Sequence, residues 1–106
     1  MNTGLCYDDV LLIPQYSDIR SRSEVDISTC LDDKIKLSLP IVSSPMDTVT
    51  GTDMAVAMGK AGGTAVIHRY NSIEDQCALA ISAIRKGTQD STVFVGAAVG
   101  ATGDFL

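Results

Sequence analysis

Short apolar runs alternate with polar loops along most of the chain. From residue 39 onward, apolar runs begin near Ile41, Thr64 and Val93, and each ends in small, polar or glycine residues. A continuous apolar run of this length is typical of a strand buried in a parallel sheet. Because parallel strands end at one edge of their sheet, the pattern predicts three polar loops that point the same way.

Helical patterns fill the intervals between these runs. Residues 50–53 offer a capping side chain for a helix over 54–58, which Gly62 and Gly63 terminate. Ser72 occupies the N-cap position of a second helix, with Asp75 or Gln76 near its third position. Five residues at spacings of three and four predict the buried face of that helix: Ile73, Cys77, Ala80, Ile81 and Ile84.

The spacing of these units indicates the fold class. Each unit of one strand and the helix that follows it takes roughly 25 residues. This is the size of the repeating unit in a (β/α)8 TIM barrel of about 250 residues. We therefore expect an α/β fold in which residues 39–106 supply about three strands of an incomplete barrel. A third helix would start near residues 104–106. An unclosed sheet exposes a strand edge, so the 106-residue chain alone is expected to fold poorly.

Residues 1–38 follow a different pattern. A short apolar run at 10–13 stops at Pro14, and polar and apolar residues alternate at 24–28 and 34–38. These three stretches predict short strands. A barrel needs a cover over its N-terminal end, and we expect this β-rich segment to provide it.

Composition and charge exclude several classes of protein. The chain is 45% hydrophobic and has nine glycines and no Trp, as expected of an α/β domain. Its net charge of −5 argues against a nucleic-acid-binding surface, which needs clustered basic residues. No apolar run approaches the roughly 18 residues that span a bilayer, and no signal peptide is visible. The sequence therefore predicts a cytoplasmic protein without membrane contact.

Candidate reactive side chains are few. Cys6, Cys30 and Cys77 lack metal-ligand spacing and neighbouring histidines, so they are interpreted as structural thiols rather than a zinc site, a disulfide framework or a nucleophile. His68 is the single histidine and has no partner in sequence for acid or base work. The sequence therefore supplies no catalytic residue and no metal site.

Five segments together resemble one family, that of inosine monophosphate dehydrogenase and guanosine monophosphate reductase, which share a (β/α)8 barrel. They are residues 7–14, 21–26, 43–50, 62–69 and 95–100, and they occur in the family's order. The resemblance implies a purine nucleoside monophosphate as substrate and a nicotinamide dinucleotide as cofactor. It also implies a homotetramer, and it places the catalytic cysteine and any monovalent-cation site outside this chain. The 106 residues alone are therefore expected to be inactive.

The resemblance implies two substrate contacts. Ser44 and Met46 match positions that contact the bound purine nucleotide in the family. A hydroxyl suits a phosphate or sugar oxygen, and a thioether can lie against the flat base. The alternative is an ordinary strand-to-helix turn with Met46 in the core. Asp47 and Thr48 could orient groups by hydrogen bonds or cap the next helix, and capping is the favoured interpretation.

The resemblance also implies three cofactor contacts. Arg69 matches a position that contacts the phosphate-bearing part of the cofactor in reductases, and a guanidinium binds phosphate oxygens in bidentate fashion. Ser21 and Arg22 match a pair that contacts a cofactor bound mainly by a neighbouring subunit. The alternatives are a surface arginine and a solvated basic loop.

Two branches of the family remain open. Residues 21–26 resemble reductases, whereas residues 43–46 resemble dehydrogenases. The short connection at 86–91 lacks the pair of cystathionine-β-synthase-type modules usual in dehydrogenases, which favours a reductase. The implied reaction is therefore NADPH-dependent reductive deamination of GMP to IMP, and the alternative is NAD-dependent oxidation of IMP to XMP. Two further hypotheses are a non-catalytic fragment that assembles with a complementary chain, and an unrelated small α/β binding domain.

Overall fold

A parallel sheet covered by helices on one face forms the centre of the molecule. The computed structural model describes residues 3–87 and 93–102. The strands are β1 (Thr29–Cys30), β2 (Lys36–Leu37), β3 (Val42–Ser43), β4 (Thr64–Ile67) and β5 (Val95–Ala97). The helices are α1 (Thr52–Lys60) and α2 (Ile73–Gly87).

The sheet has the order β3-β4-β5, and both pairs of strands are parallel. Ser43 lies opposite Ala65, which lies opposite Val95, and the last registered pair is Ile67 with Ala97. This arrangement confirms the predicted parallel α/β fold. It places the ends of all three strands at one edge.

The core lies between the sheet and the two helices. Ala55 of α1, Ala65 and Ile67 of β4 and Ala83 of α2 are all 0% exposed. Partly buried residues of both helices and of β5 surround them. Most of the buried side chains are small, so the helix backbones lie close to the sheet.

The predicted buried face of α2 is wrong at four of its five positions. Ile73, Ile81 and Ile84 are 65%, 48% and 43% exposed, and the Cys77 thiol is exposed as well. Ala80 does pack against the core, but it does so in a stripe with Leu79, Ala83 and Gly87. Close approach to a sheet selects small side chains, whereas the spacing of the isoleucines predicts a different face. The bulky face is left uncovered among the described residues.

Glycines set the distance between the helices and β5. Val93 is 5% exposed and lies against Gly59 of α1 and Gly87 of α2. A Cβ atom at Gly59 would lie 2.6 Å from Val93 Cγ2. Gly62 has a φ of 90°, which few other residues adopt, and it ends α1 as predicted.

The N-terminal segment differs from the prediction. Residues 10–13 and 24–28 form no strands, and two 3₁₀ turns occupy Tyr7–Asp9 and Arg22–Glu24. Local alternation cannot form a strand by itself, because a strand needs a hydrogen-bonded neighbour. The predicted strand at 34–38 is present in shortened form as β2, paired antiparallel with β1.

The β1–β2 hairpin lies at the N-terminal end of the sheet. Leu31 and Ile35 line an apolar cavity of about 290 Å³ together with Val42, Thr64 and Phe94. That the whole of residues 1–38 covers a barrel end remains a prediction. The expected third helix near residues 104–106 lies outside the described residues. None of the helices that the structure describes has the length and apolar character needed to cross a membrane.

Candidate functional site

Three loops leave the sheet at the edge where the parallel strands end. They follow β3, β4 and β5 at residues 44–51, 68–72 and 98–102. Binding sites in parallel α/β sheets form at this edge, because it is where the loops of successive strands converge. Ser44, Met46 and Arg69 all belong to these loops, so the topology brings three of the five predicted site residues to one edge.

Thr50 holds the β3–α1 loop in a compact turn. Its side chain is 0% exposed, and its hydroxyl donates to the Ser44 carbonyl and bonds the Ser43 hydroxyl. The backbone N–H groups of Val49 and Thr50 donate to the Met46 carbonyl at 3.0 and 2.9 Å. Thr50 belongs to residues 43–50, one of the segments that resemble the family. Nothing in the neighbouring sequence, however, distinguishes a buried threonine from a solvated one.

This turn directs Ser44 and Met46 outward. Ser44 is exposed and Met46 is 50% exposed, so Met46 does not belong to the core. The capping role predicted for Asp47 and Thr48 is wrong. The Asp47 carboxylate accepts from the adjacent Thr48 N–H at 2.9 Å, and α1 begins after Gly51 without a side-chain cap. The compact turn ends at Thr50, so the helix begins several residues beyond Asp47.

The β4–α2 loop carries His68 and Arg69. His68 is half-buried, and its Nδ1 accepts from the Tyr70 N–H at 3.3 Å. The rings of His68 and Tyr70 stack with centroids 6.4 Å apart. Arg69 is exposed, and its guanidinium makes no hydrogen bond or ion pair with the part of the chain that the structure describes.

The start of α2 closes this loop as predicted. The Ser72 hydroxyl accepts from the Asp75 N–H at 3.1 Å and donates to the Asp75 carboxylate at 2.9 Å. One turn further, the Gln76 amide donates to backbone carbonyls of the β4 and β5 loops. Asn71 Oδ1 is buried without a hydrogen-bond partner among residues 3–87 and 93–102.

Ser21 and Arg22 lie in a separate, exposed turn. The Ser21 hydroxyl accepts from the Ser23 N–H at 3.3 Å, and the Glu24 carboxylate accepts from the Arg20 N–H at 3.3 Å. No hydrogen bond or ion pair joins this turn to the three loops within the described ranges. The structure therefore does not link Ser21 and Arg22 to the other predicted site residues.

The available donors suit a phosphate-bearing ligand. The guanidinium groups of Arg22 and Arg69 are unengaged by any carboxylate in the described segments, and both can donate to phosphate oxygens. The exposed hydroxyl of Ser44 and the thioether of Met46 suit a sugar phosphate and a flat base. The chemistry of the side chains at the sheet edge thus fits a phosphate-bearing ligand that carries a flat base.

Asp9 and Asp26, whose carboxyl groups have a lowered pKa, lie outside the three loops at the edge of the sheet. The Ser28 backbone N–H holds the pKa of Asp26 below its ordinary value, and the Cys6 backbone N–H does the same to the pKa of Asp9. Among the described residues, no cluster of three or more histidine, cysteine or acidic side chains has the geometry of a metal site.

Comparison with known proteins gives one consistent family. The family model described as "IMP dehydrogenase / GMP reductase domain" matches residues 4–106. The inosine-5'-monophosphate dehydrogenase of Nitrosopumilus maritimus is 49% identical over 85 residues, which are 80% of this chain and 18% of that protein. The GMP reductase of Leishmania donovani is 55% identical over 76 residues, which are 72% of this chain and 15% of that protein.

A solved structure agrees in fold and sequence. A cysteine-to-alanine variant of GMP reductase from Trypanosoma brucei, in complex with guanosine 5'-monophosphate, superimposes with a TM-score of 0.71 at 55% identity. The match covers 76% of this chain and 17% of that one. The chain thus spans less than a fifth of the length of these relatives. Since the family model covers nearly every residue, the chain belongs to the IMP dehydrogenase / GMP reductase domain family.

Proposed function

We propose that the chain is the N-terminal part of a (β/α)8 barrel whose complete form reduces GMP to IMP with NADPH. The nicotinamide would supply a hydride to the second carbon of the purine, and the amino group would take up one proton and leave as ammonia. The observation that carries the proposal is the single edge at which β3 and β4 present Ser44, Met46 and Arg69. A relative 55% identical to this chain was solved with guanosine 5'-monophosphate.

Two side chains are proposed to bind the nucleotide. The Ser44 hydroxyl is exposed and makes no side-chain hydrogen bond among the described residues, so it is free to bond a phosphate or sugar oxygen. Met46 is half exposed at the same turn and lies against the base. Thr50 fixes the backbone of both.

Three side chains are proposed to bind the cofactor. Arg69 donates to its phosphate-bearing part from the end of β4, in the bidentate manner of a guanidinium. Ser21 and Arg22 reach a cofactor held mainly by a neighbouring subunit, which agrees with their separation from the loops in one chain. This assignment rests on a homotetramer in the complete protein, which we place in the cytoplasm.

The chain alone is proposed to be inactive. The catalytic cysteine and any monovalent-cation site belong to later segments of the barrel, and residues 39–106 supply only its first strands. Residues 1–38 cover the N-terminal end of that barrel, a role supported by the cavity that Leu31 and Ile35 line together with Val42 of β3 and Thr64 of β4.

Oxidation of IMP to XMP with NAD is the second candidate. It is supported by residues 43–46, which resemble dehydrogenases, and by the 49% identity to the dehydrogenase of Nitrosopumilus maritimus. A non-catalytic piece that assembles with a complementary chain is the third. The exposed isoleucines of α2 support it, because an uncovered apolar helix face favours docking.

The test is an intact-mass measurement on the native gene product, followed by nicotinamide absorbance assays of the same sample. A mass well above that of 106 residues, with NADPH oxidation on GMP, supports the reductase. Reduction of NAD on IMP instead supports the dehydrogenase. A mass equal to that of the chain, without turnover, contradicts both and leaves the assembly role.

A further inference from the structure

Gln76 joins two of the loops at the site edge through one amide group. Its Nε2 donates to the Ala98 carbonyl at 2.9 Å and to the His68 carbonyl at 3.0 Å. The Ile67 carbonyl lies at 3.4 Å from the same atom. An amide nitrogen carries two hydrogens, so the two shorter contacts account for both of them. One N–H of the amide therefore donates to the loop after β4, and the other donates to the loop after β5.

These bonds continue the sheet beyond its last backbone contact. The final registered pair of β4 and β5 is Ile67 with Ala97, and the last backbone bond between them runs from the Ala98 N–H to the Ile67 carbonyl at 3.0 Å. The next carbonyls along the two strands are those of His68 and Ala98, and both accept from Gln76. The side chain therefore replaces the backbone link that the diverging loops can no longer make.

The surroundings fix the orientation of the amide. Gln76 is half-buried in the first turn of α2, and three carbonyl oxygens face its nitrogen. The flipped amide would place its oxygen against those three acceptors and lose both bonds. The position therefore requires two N–H donors at the distance that a glutamine side chain spans. Neither a carboxylate nor an apolar side chain of the same size supplies them.

We propose that Gln76 is a positioning residue that fixes the loop carrying Arg69 and so sets the affinity for the phosphate-bearing cofactor. Arg69 directly follows the His68 carbonyl that Gln76 holds. The loop of Ser44 and Met46 is fixed separately by Thr50, which is bonded to Ser43 and Ser44 and not to Gln76. Loss of the amide should therefore weaken cofactor binding and leave nucleotide binding unchanged. This inference rests on the proposed role of Arg69.

The experiment compares variants of the native gene product by steady-state kinetics. Gln76→Met keeps the size of the side chain and removes both donors. We expect it to raise the KM for the dinucleotide about threefold to tenfold, as the loss of one or two hydrogen bonds implies. The KM for the nucleotide should stay within about twofold. Gln76→Asn keeps the amide with a shorter reach and should give an intermediate dinucleotide KM, which maintains the test if the methionine variant fails to fold.

A matched control distinguishes an effect on the position of the Arg69 loop from a general loss of stability of the fold. The Thr64 hydroxyl donates to the Phe94 carbonyl at 2.8 Å and joins the same two strands at their opposite end. Thr64→Val removes this bond without a change of size. It should lower the melting temperature and leave the dinucleotide KM unchanged.

A double-mutant cycle identifies the route of the effect. If Gln76 acts through Arg69, then Arg69→Gln combined with Gln76→Met should bind the dinucleotide no more weakly than Arg69→Gln alone. Additive effects, or a Gln76→Met variant or folded Gln76→Asn variant with the original dinucleotide KM, would overturn the inference. If Arg69→Gln alone leaves that KM unchanged, the assignment of Arg69 under the proposed function fails together with the route through it.

Discussion

At the scale of single residues, a few buried or fixed polar groups decide the shape of the site edge. Thr50 is the clearest example, because a fully buried hydroxyl is stable only when it is hydrogen-bonded. It accepts from the Ser43 hydroxyl and donates to the Ser44 carbonyl. The exposed residues proposed to contact the nucleotide thus depend on a neighbour that is itself fully buried.

Replacement of Thr50 should loosen this turn. Thr50→Val keeps the shape and removes the hydroxyl, which leaves the buried Ser43 hydroxyl and the Ser44 carbonyl without this partner, at a cost of about 1–3 kcal/mol in the free energy of unfolding. We expect a lower melting temperature of the native gene product and a raised KM for the nucleotide. Thr48→Val is the matched control, because Thr48 is exposed and its hydroxyl makes no bond within the described residues. Equal behaviour of the two variants would contradict the role of Thr50.

The turn at Asp26 offers a prediction about pH. The Ser28 backbone N–H donates to the Asp26 carboxylate at 2.8 Å and lowers its pKa below 3.8. Because the folded pKa is the lower one, the turn is stabilised above pH 3.8, and this stabilisation is lost as the pH falls through the folded pKa. Ser28→Pro removes the N–H and should raise the pKa of Asp26 toward 3.8.

The measurement is a titration of the Asp26 carboxyl carbon by NMR. Ser28→Ala serves as the control, since it keeps the backbone N–H and loses only the weaker side-chain contribution. The pKa of Asp26 should therefore increase from the original chain to Ser28→Ala and further to Ser28→Pro. An unchanged pKa in Ser28→Pro would show that the backbone bond is not the cause.

At the scale of elements, the helices approach the sheet through small residues. Ala55 and Ala83 are fully buried, whereas the isoleucines of α2 remain exposed. Gly59 and Gly87 admit the Val93 side chain between the two helices. The distance between α1, α2 and β5 is therefore set by the absence of side chains at two positions.

Gly59→Ala tests this packing, because the helix propensity of alanine and the predicted clash with Val93 change the free energy of unfolding in opposite directions. In an exposed helix interior, alanine is more favourable than glycine by about 0.8–1 kcal/mol. Here the new Cβ would lie 2.6 Å from Val93 Cγ2 and 2.7 Å from Cγ1, so we expect a net loss of about 1–3 kcal/mol, as in an overpacked core. Thermal unfolding of the native gene product gives the measurement.

Two further variants make the result specific. Gly4→Ala adds the same methyl group outside any helix or strand and where no atom lies within 4 Å, and it should change the melting temperature only slightly. The addition of Val93→Ala to Gly59→Ala should recover part of the loss, because it removes the clashing methyl groups. A stabilised Gly59→Ala variant would contradict the predicted clash.

At the scale of the whole molecule, much apolar surface is uncovered. The radius of gyration is 17.7 Å, whereas a compact domain of 100 residues has about 13 Å. Leu11 and Leu12 are 95% and 99% exposed, and the bulky face of α2 is exposed as well. A chain with this surface is expected to associate or aggregate in isolation, in agreement with its proposed place in a larger barrel.

Leu12→Ser tests whether residues 1–38 pack against the rest of a larger barrel in the native gene product. In the native gene product, where residues 1–38 are proposed to cover the barrel, the replacement should lower the melting temperature. A Leu12 that is solvated there as it is in this chain, where it is 99% exposed, would instead let the free energy of unfolding change by no more than about 0.5 kcal/mol. Ile67→Ala is the control and should destabilise the native gene product by about 2–5 kcal/mol, because Ile67 is fully buried. If Leu12→Ser has no effect on the native gene product, the proposed cover is wrong.

The sequence alone determined the elements with strong local signals. Unbroken apolar runs predicted three parallel strands, Gly62 predicted the end of α1, and Ser72 with Asp75 predicted the start of α2, all of which the structure contains. Five segments in the order of one family identify that family, and the comparisons confirm it. The strands, the end of α1 and the start of α2 are local features, because each depends on residues within a few positions of one another.

Only the tertiary structure decided which faces are buried and which groups hold the loops. It selected the small stripe of α2 over its isoleucines, left residues 10–13 without a strand, and placed Thr50 and Gln76 at the centre of hydrogen-bond networks. The amide of Gln76 bonds a carbonyl 22 residues away. Burial and hydrogen bonding of this kind depend on contacts between distant segments, and the pattern along a single chain does not contain them.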